Sequence, residues 1–424
     1  MKKLELHWQI LIAIVLAIIA GLWTGTTGGI GGFTFVQAYD FVGTLFLNAL
    51  LMVVVPLVFS SIVVGIAKVG GGSDLGRLGL KTMACYALFT TTAILVGLFF
   101  VNVMKPGYLD GAPAGEQLAL PLSAQQETTI NNIGQRSEGA NILGIFLRMI
   151  PTNVFAAASV NDVLPLIFFG ILFGFFMNKL PEPQAIAMRK FWEGINDIMM
   201  LITMWIMTWA PIGVFGLVAG TMAITGYEAL KTMVVFFFTV AFALMTHIFL
   251  VLSLYLRVLG KANPLKHLRA MSPALLMAFS SASSNAALPL NIDCLHKRAG
   301  VSERVTNFVL PLGASLNMDG TALYECVAAM FLAQAYGLEL TFATQFTIVL
   351  LALLTSVGMA GIPQASLVAI TVILGAIGLP LEAIGLLLVT DRILDMLRTS
   401  VNVYSDSCGG VIIARSEGEK NLLV

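Results

Sequence analysis

The charged residues near the C-terminus follow a helical spacing inside an apolar stretch. Segment 389–410 reads VTDRILDMLRTSVNVYSDSCGG and lies between the apolar runs 379–388 and 411–414. Polar side chains recur there at steps of three and four, which places them on one face of an α-helix. They are Asp391, Asp395, Arg398, Thr399, Asn402 and Asp406. A charge at membrane depth costs about 2.5–3.5 kcal/mol, so such a face indicates a site where charged solutes supply partners. The alternative, an amphipathic helix on the cytoplasmic surface, would favour a Lys-rich stripe beside the carboxylates, which this segment lacks.

The composition indicates a membrane protein. Hydrophobic residues make up 58% of the chain and charged residues 11%, whereas a soluble domain carries about 25% charged residues. The net charge of zero gives no support to a nucleic-acid partner. The four cysteines show no metal-type spacing, so we expect buried free thiols. The apolar run 10–22 follows two lysines like a signal peptide, but the Gly-rich stretch 25–32 offers no good cleavage site, which favours an uncleaved first transmembrane helix.

Long apolar runs predict eight membrane spans, and two further segments are interrupted by small residues and proline. The spans are 8–24, 38–68, 80–104, 141–178, 190–222, 228–258, 304–335 and 381–414, and the interrupted segments are 271–295 and 345–378. Most Lys and Arg residues fall on one side if both interrupted segments re-enter the membrane. By the positive-inside rule, both termini are then cytoplasmic and the loop 106–138 is external. The predicted fold class is an all-α polytopic membrane protein with eight transmembrane helices plus two re-entrant helical hairpins.

The interrupted segments predict inverted repeats. They read MAFSSASSNAALPL (277–290) and TSVGMAGIPQASLV (355–368). Broken backbone at membrane depth is tolerated only where protein buries it or where it lines a cavity, and such a pair is typical of secondary transporters. Helix N-termini at the first break would offer amides to a carboxylate, and carbonyls near 358–360 would suit a small cation. The alternative is two kinked ordinary helices.

The segment LGASLNMDGTALYE (312–325) places polar residues inside another apolar span. Asn-Met-Asp-Gly is a poor helix former, so we expect local unwinding. Oxygen ligands without His or thiolate, and with few carboxylates, suit Na⁺ best. The alternative is that Asp319 only caps a broken helix. Burial favours a neutral carboxyl group, which makes Glu325 a candidate proton carrier. The alternative is a glutamate that is held by a hydrogen bond and takes no part in turnover.

Five motifs together resemble one transporter family over nearly the whole chain. They are DRILDMLRTSVNVYSD (391–406), LGASLNMDGTALYE (312–325), AGIPQAS (360–366), SSASSNAALPL (280–290) and MVVVPLVFSS (52–61). The chain is similar to the glutamate/aspartate:cation symporters, the dicarboxylate/amino acid:cation symporter family that includes the excitatory amino-acid transporters. The resemblance implies a homotrimer with elevator-type alternating access. Residues 1–79 and 105–226 would form the scaffold, and 80–104 and 227–424 the transport domain.

The resemblance also implies an acidic amino acid as substrate. Arg398 would pair with the side-chain carboxylate, which its planar fork matches bidentately, and Asp395 with the α-amino group. The other implied substrate residues are Thr399, Asn402, Thr321, Ala282, Ser283, Ser284, Asn285, Ile362 and Ser366. Leaving one partner of a buried charge pair alone costs ~2–5 kcal/mol, so we expect strong discrimination against substrates that lack either group.

Three sodium sites follow from the same resemblance. The first comprises Gly313, Asn317, Asn402 and Asp406; the second comprises Ser315, Met318 and the carbonyls of Ser356, Val357 and Met359; the third comprises Asp319, Asn317, Tyr86 and Thr90. Phe89 stands where a hydroxyl ligand is usual, so the third site requires Thr91 to move in. Family members carry a further arginine at one of two places where this chain has Ala282 and Met396. Glu325 matches the proton-carrying residue of the animal members, which predicts proton co-transport.

The sequence therefore predicts a symporter in the cell membrane (inner or plasma membrane), driven by Na⁺ and H⁺, with the lipid bilayer around it. We expect no enzymatic activity, no organic cofactor and no nucleic-acid partner. Competing interpretations are a symporter of the same fold for C4-dicarboxylates or sulphur-containing amino acids, and a passive anion channel. An intramembrane aspartyl protease using Asp319 and Asp391 would need YD and GxGD motifs, which the sequence lacks.

Overall fold

Helices make up most of the chain. The computed structural model describes residues 6–69, 73–115, 150–159, 163–226, 228–338, 341–356, 365–377, 379–380, 383–420 and 422–423. The helices in the first half are α1 (Leu6–Thr24), α2 (Phe35–Val69), α3 (Ser73–Met104), α4 (Val154–Ser159), α5 (Val163–Met177), α6 (Glu182–Met207) and α7 (Ala210–Thr225). Those in the second half are α8 (Glu228–Thr246), α9 (Ser253–Val258), α10 (Pro264–Ser281), α11 (Ser284–Asp293), α12 (Glu303–Leu316), α13 (Asp319–Ala335), α14 (Phe342–Ser356), α15 (Ala365–Ile377) and α16 (Ile384–Ser416).

The remaining regular structure is short. Two antiparallel pairs of two-residue strands close tight turns: β1 (Gly29–Ile30) pairs with β2 (Phe33–Thr34), and β3 (Tyr108–Leu109) pairs with β4 (Ala112–Pro113). A π-helical segment, His247–Leu252, joins α8 to α9, and a second, Cys294–Arg298, follows α11.

Several helices are long and apolar enough to cross a membrane. Within the described ranges these are Phe35–Ala67, Arg77–Met104 and Leu230–Val258, and α6 with α7 would add a fourth span if the bent pair counts as one. Many large apolar side chains point outward, including Trp23, Leu80 and Phe155. Such exposure is unfavourable in water but favourable in hydrocarbon. The chain is a mostly helical protein with the apolar helices of a polytopic membrane protein.

The helices pack in two groups. In the first, α1 packs against α7, and α2 packs against α5, α6 and α7. In the second, α13 packs along α3, while α16 contacts α8, α10, α12 and α13. The polar residues of α16 therefore lie at the centre of the second group.

The predicted span 190–222 is not one straight helix. The structure divides it into α6 and α7, which meet at a bend of 58°. Pro211 lies at the start of α7. Proline lacks an amide hydrogen and disfavours helix at the preceding residue, so a continuous helix is broken there. The long apolar run of 190–222 concealed this break.

The predicted break in the first interrupted segment is confirmed. Helix α10 ends before Ala282, whose left-handed backbone (φ 49°, ψ 37°) interrupts the helix. Ser283 then caps α11 by accepting a hydrogen bond of 3.3 Å from the Ala286 amide. Helices α10 and α11 pack against each other. The predicted break of the second segment, within 357–364, lies outside the described residues.

Candidate functional site

The polar face of α16 points into the protein. Asp391, Asp395, Arg398, Asn402 and Asp406 are each at most 3% exposed. A helix lying on the cytoplasmic surface would leave these side chains in water, so that interpretation is wrong. Because the face is buried, each charge on it must find a partner inside the helical packing.

Four charged side chains of α16 form one buried cluster. Arg398 contacts Asp391 through Nη1 at 2.9 Å, and contacts Asp395 through Nη2 at 2.9 Å and Nε at 3.1 Å. Arg392 lies 3.5 Å from the second oxygen of Asp395. The guanidinium of Arg398 also lies 4.2 Å from the ring centre of Tyr324 on α13, which adds a cation–π contact. Two cations and two anions balance, so the cluster carries no net charge.

The chain unwinds between α12 and α13, as the sequence predicts. Asn317 and Met318 leave helical geometry, with ψ angles of 81° and 50°. The first amides of α13 would otherwise lack acceptors. Asn402 of α16 supplies one, since its Oδ1 accepts from the Gly320 amide at 2.8 Å and from the Thr321 amide at 3.3 Å. The last helix thus caps α13, which fixes the unwound segment against the charged cluster.

The unwound segment gathers oxygen atoms around Gly313. The side-chain nitrogen of Asn317 donates to Asp406 and to Ser405, each at 2.9 Å. The side-chain oxygen of Asn317, Oδ1, is buried without a hydrogen-bond partner in the described part of the chain. A Cβ atom on Gly313 would lie 2.5 Å from an Asp406 oxygen and 2.6 Å from the Tyr86 hydroxyl. Only glycine allows this approach. The donor set of carboxylate and amide oxygens is the kind that Na⁺ takes.

Asp319 has a partner that the sequence interpretation missed. His247, in the π-helical segment after α8, places Nε2 2.7 Å from the Asp319 carboxylate, and both side chains are fully buried. A π-helical turn shifts the residues on a helix face and is frequent at functional sites. The predicted third sodium site, which uses Asp319, would therefore have an imidazole bonded to one of its ligands.

Two other expected members of the third site, Tyr86 and Thr90, lie on α3. Thr90 is buried, and Tyr86 donates to the Val309 carbonyl at 3.0 Å. Phe89 is fully buried and stacks on Tyr255. Thr91 is exposed and bonds back to its own helix, so it does not replace the missing hydroxyl here.

Glu325 lies fully buried one turn beyond Thr321. Its Oε2 accepts a hydrogen bond of 2.8 Å from Thr355 of α14, and Oε1 has no hydrogen-bond partner among the residues that the structure covers. Thr355 lies at the end of α14, just before the second break. Glu325 therefore contacts the helix that leads into that break.

The residues expected at the two breaks are only partly described. Ser284 is buried at the start of α11, whereas Asn285 is exposed. Ser366 is buried, and no partner for its hydroxyl occurs in the described ranges. Val357, Met359, Ile362 and the side chain of Ser356 lie outside the described residues.

Thr399 and Thr321 are buried, and Thr321 accepts a hydrogen bond of 3.0 Å from Asn402. Ser315 bonds to its own helix at 3.4 Å, and the sulphur of Met318 lies 3.5 Å from Asn402.

Sequence reasoning left three contacting residues out of the site. Arg392 lies on α16 three residues before Asp395, so its spacing gave a signal. Tyr324 lies next to Glu325 and gave none beyond its place in a polar motif. His247 is a lone histidine in an apolar run, which was a signal without an identifiable partner.

The comparisons with known proteins agree over the length of the chain. Residues 6–416 match the model of the sodium:dicarboxylate symporter family. The proton/glutamate-aspartate symporter of Escherichia coli (strain K12) is 35% identical over 98% of this chain and 93% of its own length. The proton/sodium-glutamate symport protein of Bacillus caldotenax is 35% identical over 99% of this chain and 96% of its own. The C4-dicarboxylate transport protein of Bacillus subtilis (strain 168) is 32% identical over 97% of this chain and 93% of its own.

Proposed function

Since the chain belongs to the sodium:dicarboxylate symporter family, we propose that it is a secondary active symporter that takes up glutamate or aspartate together with Na⁺ and H⁺. The observation that carries the proposal is the buried ion pair of Arg398 with Asp395 on one face of α16. A guanidinium and a carboxylate held side by side match the side-chain carboxylate and the ammonium of an acidic amino acid. The names of the relatives support the same substrate class.

Substrate binding is an exchange of partners. The side-chain carboxylate of the substrate takes the Nη2 and Nε hydrogens of Arg398. In the structure Nε donates to Asp395 Oδ1 at 3.1 Å, and Nη2 lies 2.9 Å from the same oxygen. Asp395 in turn receives the ammonium. Arg398 keeps Asp391 and the ring of Tyr324, which hold its fork in place. Arg398 and Asp395 each exchange one opposite partner for another, which avoids the cost of leaving either as a lone buried ion.

The coupling ions use the neighbouring oxygen atoms. We assign Na⁺ to the group formed by Gly313, Asn317, Asn402 and Asp406, because Asn317 presents a buried oxygen there without a hydrogen-bond partner in the described ranges. Glu325 carries the proton, since its contact with Thr355 links protonation to the segment before the second break. The name of the Bacillus caldotenax relative combines both ions.

The finer architecture is part of the same proposal. Eight transmembrane helices and two re-entrant hairpins would place both termini in the cytoplasm of a cell-membrane homotrimer. The two packing groups of helices support a scaffold of 1–79 and 105–226 and a moving domain of 80–104 and 227–424.

A second candidate is a carrier restricted to C4-dicarboxylates, which the Bacillus subtilis relative's name favours. Such substrates offer no amine, and Asp395 would then face an incoming dianion. Arg398 likewise disfavours a neutral, sulphur-containing amino acid, because it would lose the partner for a buried guanidinium.

Uptake into proteoliposomes tests the proposal. Labelled aspartate is supplied with a Na⁺ gradient, a pH gradient, both or neither. The proposal predicts concentrative uptake that depends on the gradients and is inhibited by glutamate. Accumulation that never exceeds the external concentration would indicate a passive channel, and uptake of succinate without aspartate would indicate the second candidate.

A further inference from the structure

The end of α16 directs the following residues across the protein. Gly418 has a φ of 94°, in the left-handed region that glycine adopts without strain. Its amide donates to the Arg415 carbonyl, and the Glu419 amide donates to the Ala414 carbonyl, each at 3.1 Å. These two bonds form a Schellman motif, which ends a helix and fixes the direction of the chain after it. We call residues 415–423 the strap; the structure describes all of them except residue 421.

The strap binds the chain on both sides of the α10–α11 pair. Before α10, the Nε atom of Arg415 donates to the Gly260 carbonyl at 3.1 Å. After α11, the Leu423 amide donates to the Ala299 carbonyl at 3.0 Å. The two ends of the pair, which form its base, are therefore joined through one continuous segment.

Glu419 makes the strongest polar contact of the strap. Its carboxylate accepts from the Ser302 amide at 3.0 Å and from the Ser302 hydroxyl at 2.6 Å, and Ser302 is the residue that caps α12. Arg415 Nη1 donates to the carbonyls of Glu419 and Lys420 at 2.9 and 2.8 Å, which holds the same turn from the side of α16. Hydrogen bonds to a charged acceptor are stronger than those between neutral groups, so the loss of Glu419 should weaken the strap most.

Apolar packing adds to these bonds. Leu422 and Leu423 are 6% and 8% exposed. They belong to the same buried apolar cluster as Ala262, which precedes α10, and Val301, which follows α11. The strap is therefore packed into the core at the base of the pair.

Towards the break at Ala282, the described polar contacts between the pair and α16 are longer. Ser400 lies 3.4 Å from the Leu275 carbonyl, and the side-chain nitrogen of Asn291 lies 3.4 Å from the Val403 carbonyl. Both distances exceed the usual 2.7–3.2 Å of a protein hydrogen bond. The strap thus contributes short bonds at the base, where α16 and the pair are held together.

We propose that the strap closes the base of the α10–α11 pair and holds it against α16, so that the pair moves together with the helix that bears the charged cluster and its base opens only when the strap is released. The strap is a conformational device that lies outside the substrate contacts. The inference goes beyond the proposed function and does not depend on which solute is transported.

Cys294 provides a native probe of the base. It begins the π-helical segment that follows α11 and packs against α10, and it is 1% exposed. A buried thiol is inert, so it reacts only when the surrounding structure opens. The test measures the rate at which N-ethylmaleimide modifies Cys294 in the purified full-length protein, followed by mass spectrometry of the modified peptides. Cys326 on α13 is fully buried and reports global unfolding in the same samples.

The variants change one contact of the strap at a time. Glu419→Ala removes both acceptors of Ser302, and we expect the Cys294 rate to rise by about tenfold or more while the Cys326 rate stays unchanged. Glu419→Gln keeps an amide oxygen that can accept one of the two bonds, so its rise should be smaller. Lys420→Gln is the matched control, because Lys420 is the next residue and its side chain is exposed; it should react as wild type does.

Each outcome decides for or against the strap. An unchanged Cys294 rate in Glu419→Ala overturns the inference, and so does an equal rise in Lys420→Gln. A parallel rise at Cys326 shows general unfolding and also overturns it. If Glu419→Ala does not fold, Glu419→Gln decides. A rise of about threefold or more at Cys294 alone then supports the inference, and a smaller one overturns it. Because the labelling requires no transport, an absence of aspartate uptake would refute the proposed function without affecting this result.

Discussion

Replacing Asp395 with asparagine tests the amine contact directly. The side chain keeps its shape, and only the negative charge is lost. In the structure the Asp395 carboxylate is almost fully buried. Its oxygens lie 2.9 Å from Nη2 and 3.1 Å from Nε of Arg398, and 3.5 Å from Nη1 of Arg392. A substrate ammonium would bind the same carboxylate in the same dry surroundings. The substitution therefore removes one partner of a desolvated charge pair.

The size of the effect follows from that burial. Removing one partner of a buried charge pair costs about 2–5 kcal/mol. Each 1.36 kcal/mol is a factor of ten in rate, so kcat/KM for aspartate should fall by about 30-fold to about 5,000-fold. Succinate should behave oppositely. With Asp395 neutral, the two guanidiniums retain one carboxylate, Asp391, within the described part of the cluster, and a dianion gains attraction without needing an amine partner.

The assay compares uptake of labelled aspartate and labelled succinate by the same proteoliposome preparation. Asp293→Asn is the matched control, because Asp293 makes an exposed ion pair with Lys297 and is not a member of this cluster. We expect that control to transport both substrates as wild type does. An Asp395→Asn protein whose kcat/KM for aspartate stays within about threefold of wild type would refute the assignment of Asp395 to the substrate amine.

Three further predictions concern coupling and stability. Glu325→Gln should abolish the pH dependence of uptake while Na⁺ dependence remains; unchanged pH dependence would exclude Glu325 as proton carrier. Gly313→Ala places a Cβ atom 2.5 Å from an Asp406 oxygen, so the half-saturating Na⁺ concentration should rise by about tenfold, and an unaltered value would contradict the sodium assignment. Just after α16, hydrogen bonding by Lys81 lowers the pKa of Glu417 below 4.5. The contribution of Glu417 to stability is therefore complete above that pH and is lost as pH falls through the lowered pKa. Thermal unfolding of Glu417→Gln should therefore lack this acid-side loss, and a pH profile identical to wild type would contradict it.

The sequence predicted the parts of the site that depend on local pattern. The polar face of α16 could be predicted from the sequence because helical spacing fixes which side chains share a face. The burial of Asp391 and Asp406 agrees with that prediction. The unwinding at Asn317 was also readable, since it follows from poor helix formers and involves only neighbouring residues. In both places local chemistry and tertiary packing favour the same conformation.

Contacts between distant segments could not be predicted from the sequence pattern. His247 and Asp319 are 72 positions apart, and their bond depends on how α8 packs against the start of α13. Spacing within one helix contains no information on that packing. The bend before Pro211 was missed for a different reason. Hydropathy averages over a long window, so one proline did not alter the prediction of a continuous span.

The charge balance of the cluster links substrate choice to ion coupling. Arg392, Arg398, Asp391 and Asp395 sum to zero, and an acidic amino acid brings two carboxylates and one ammonium. The loaded cluster therefore carries one negative charge inside packed helices. Charge in such surroundings is costly unless a counter-ion accompanies it. Neutralising the loaded cluster therefore takes one cation beyond those that balance the charges of Asp406 and Glu325 themselves. If Arg392 were absent, one more cation would be needed before the loaded cluster became neutral. The arginine thus reduces the number of cations needed to neutralise the substrate.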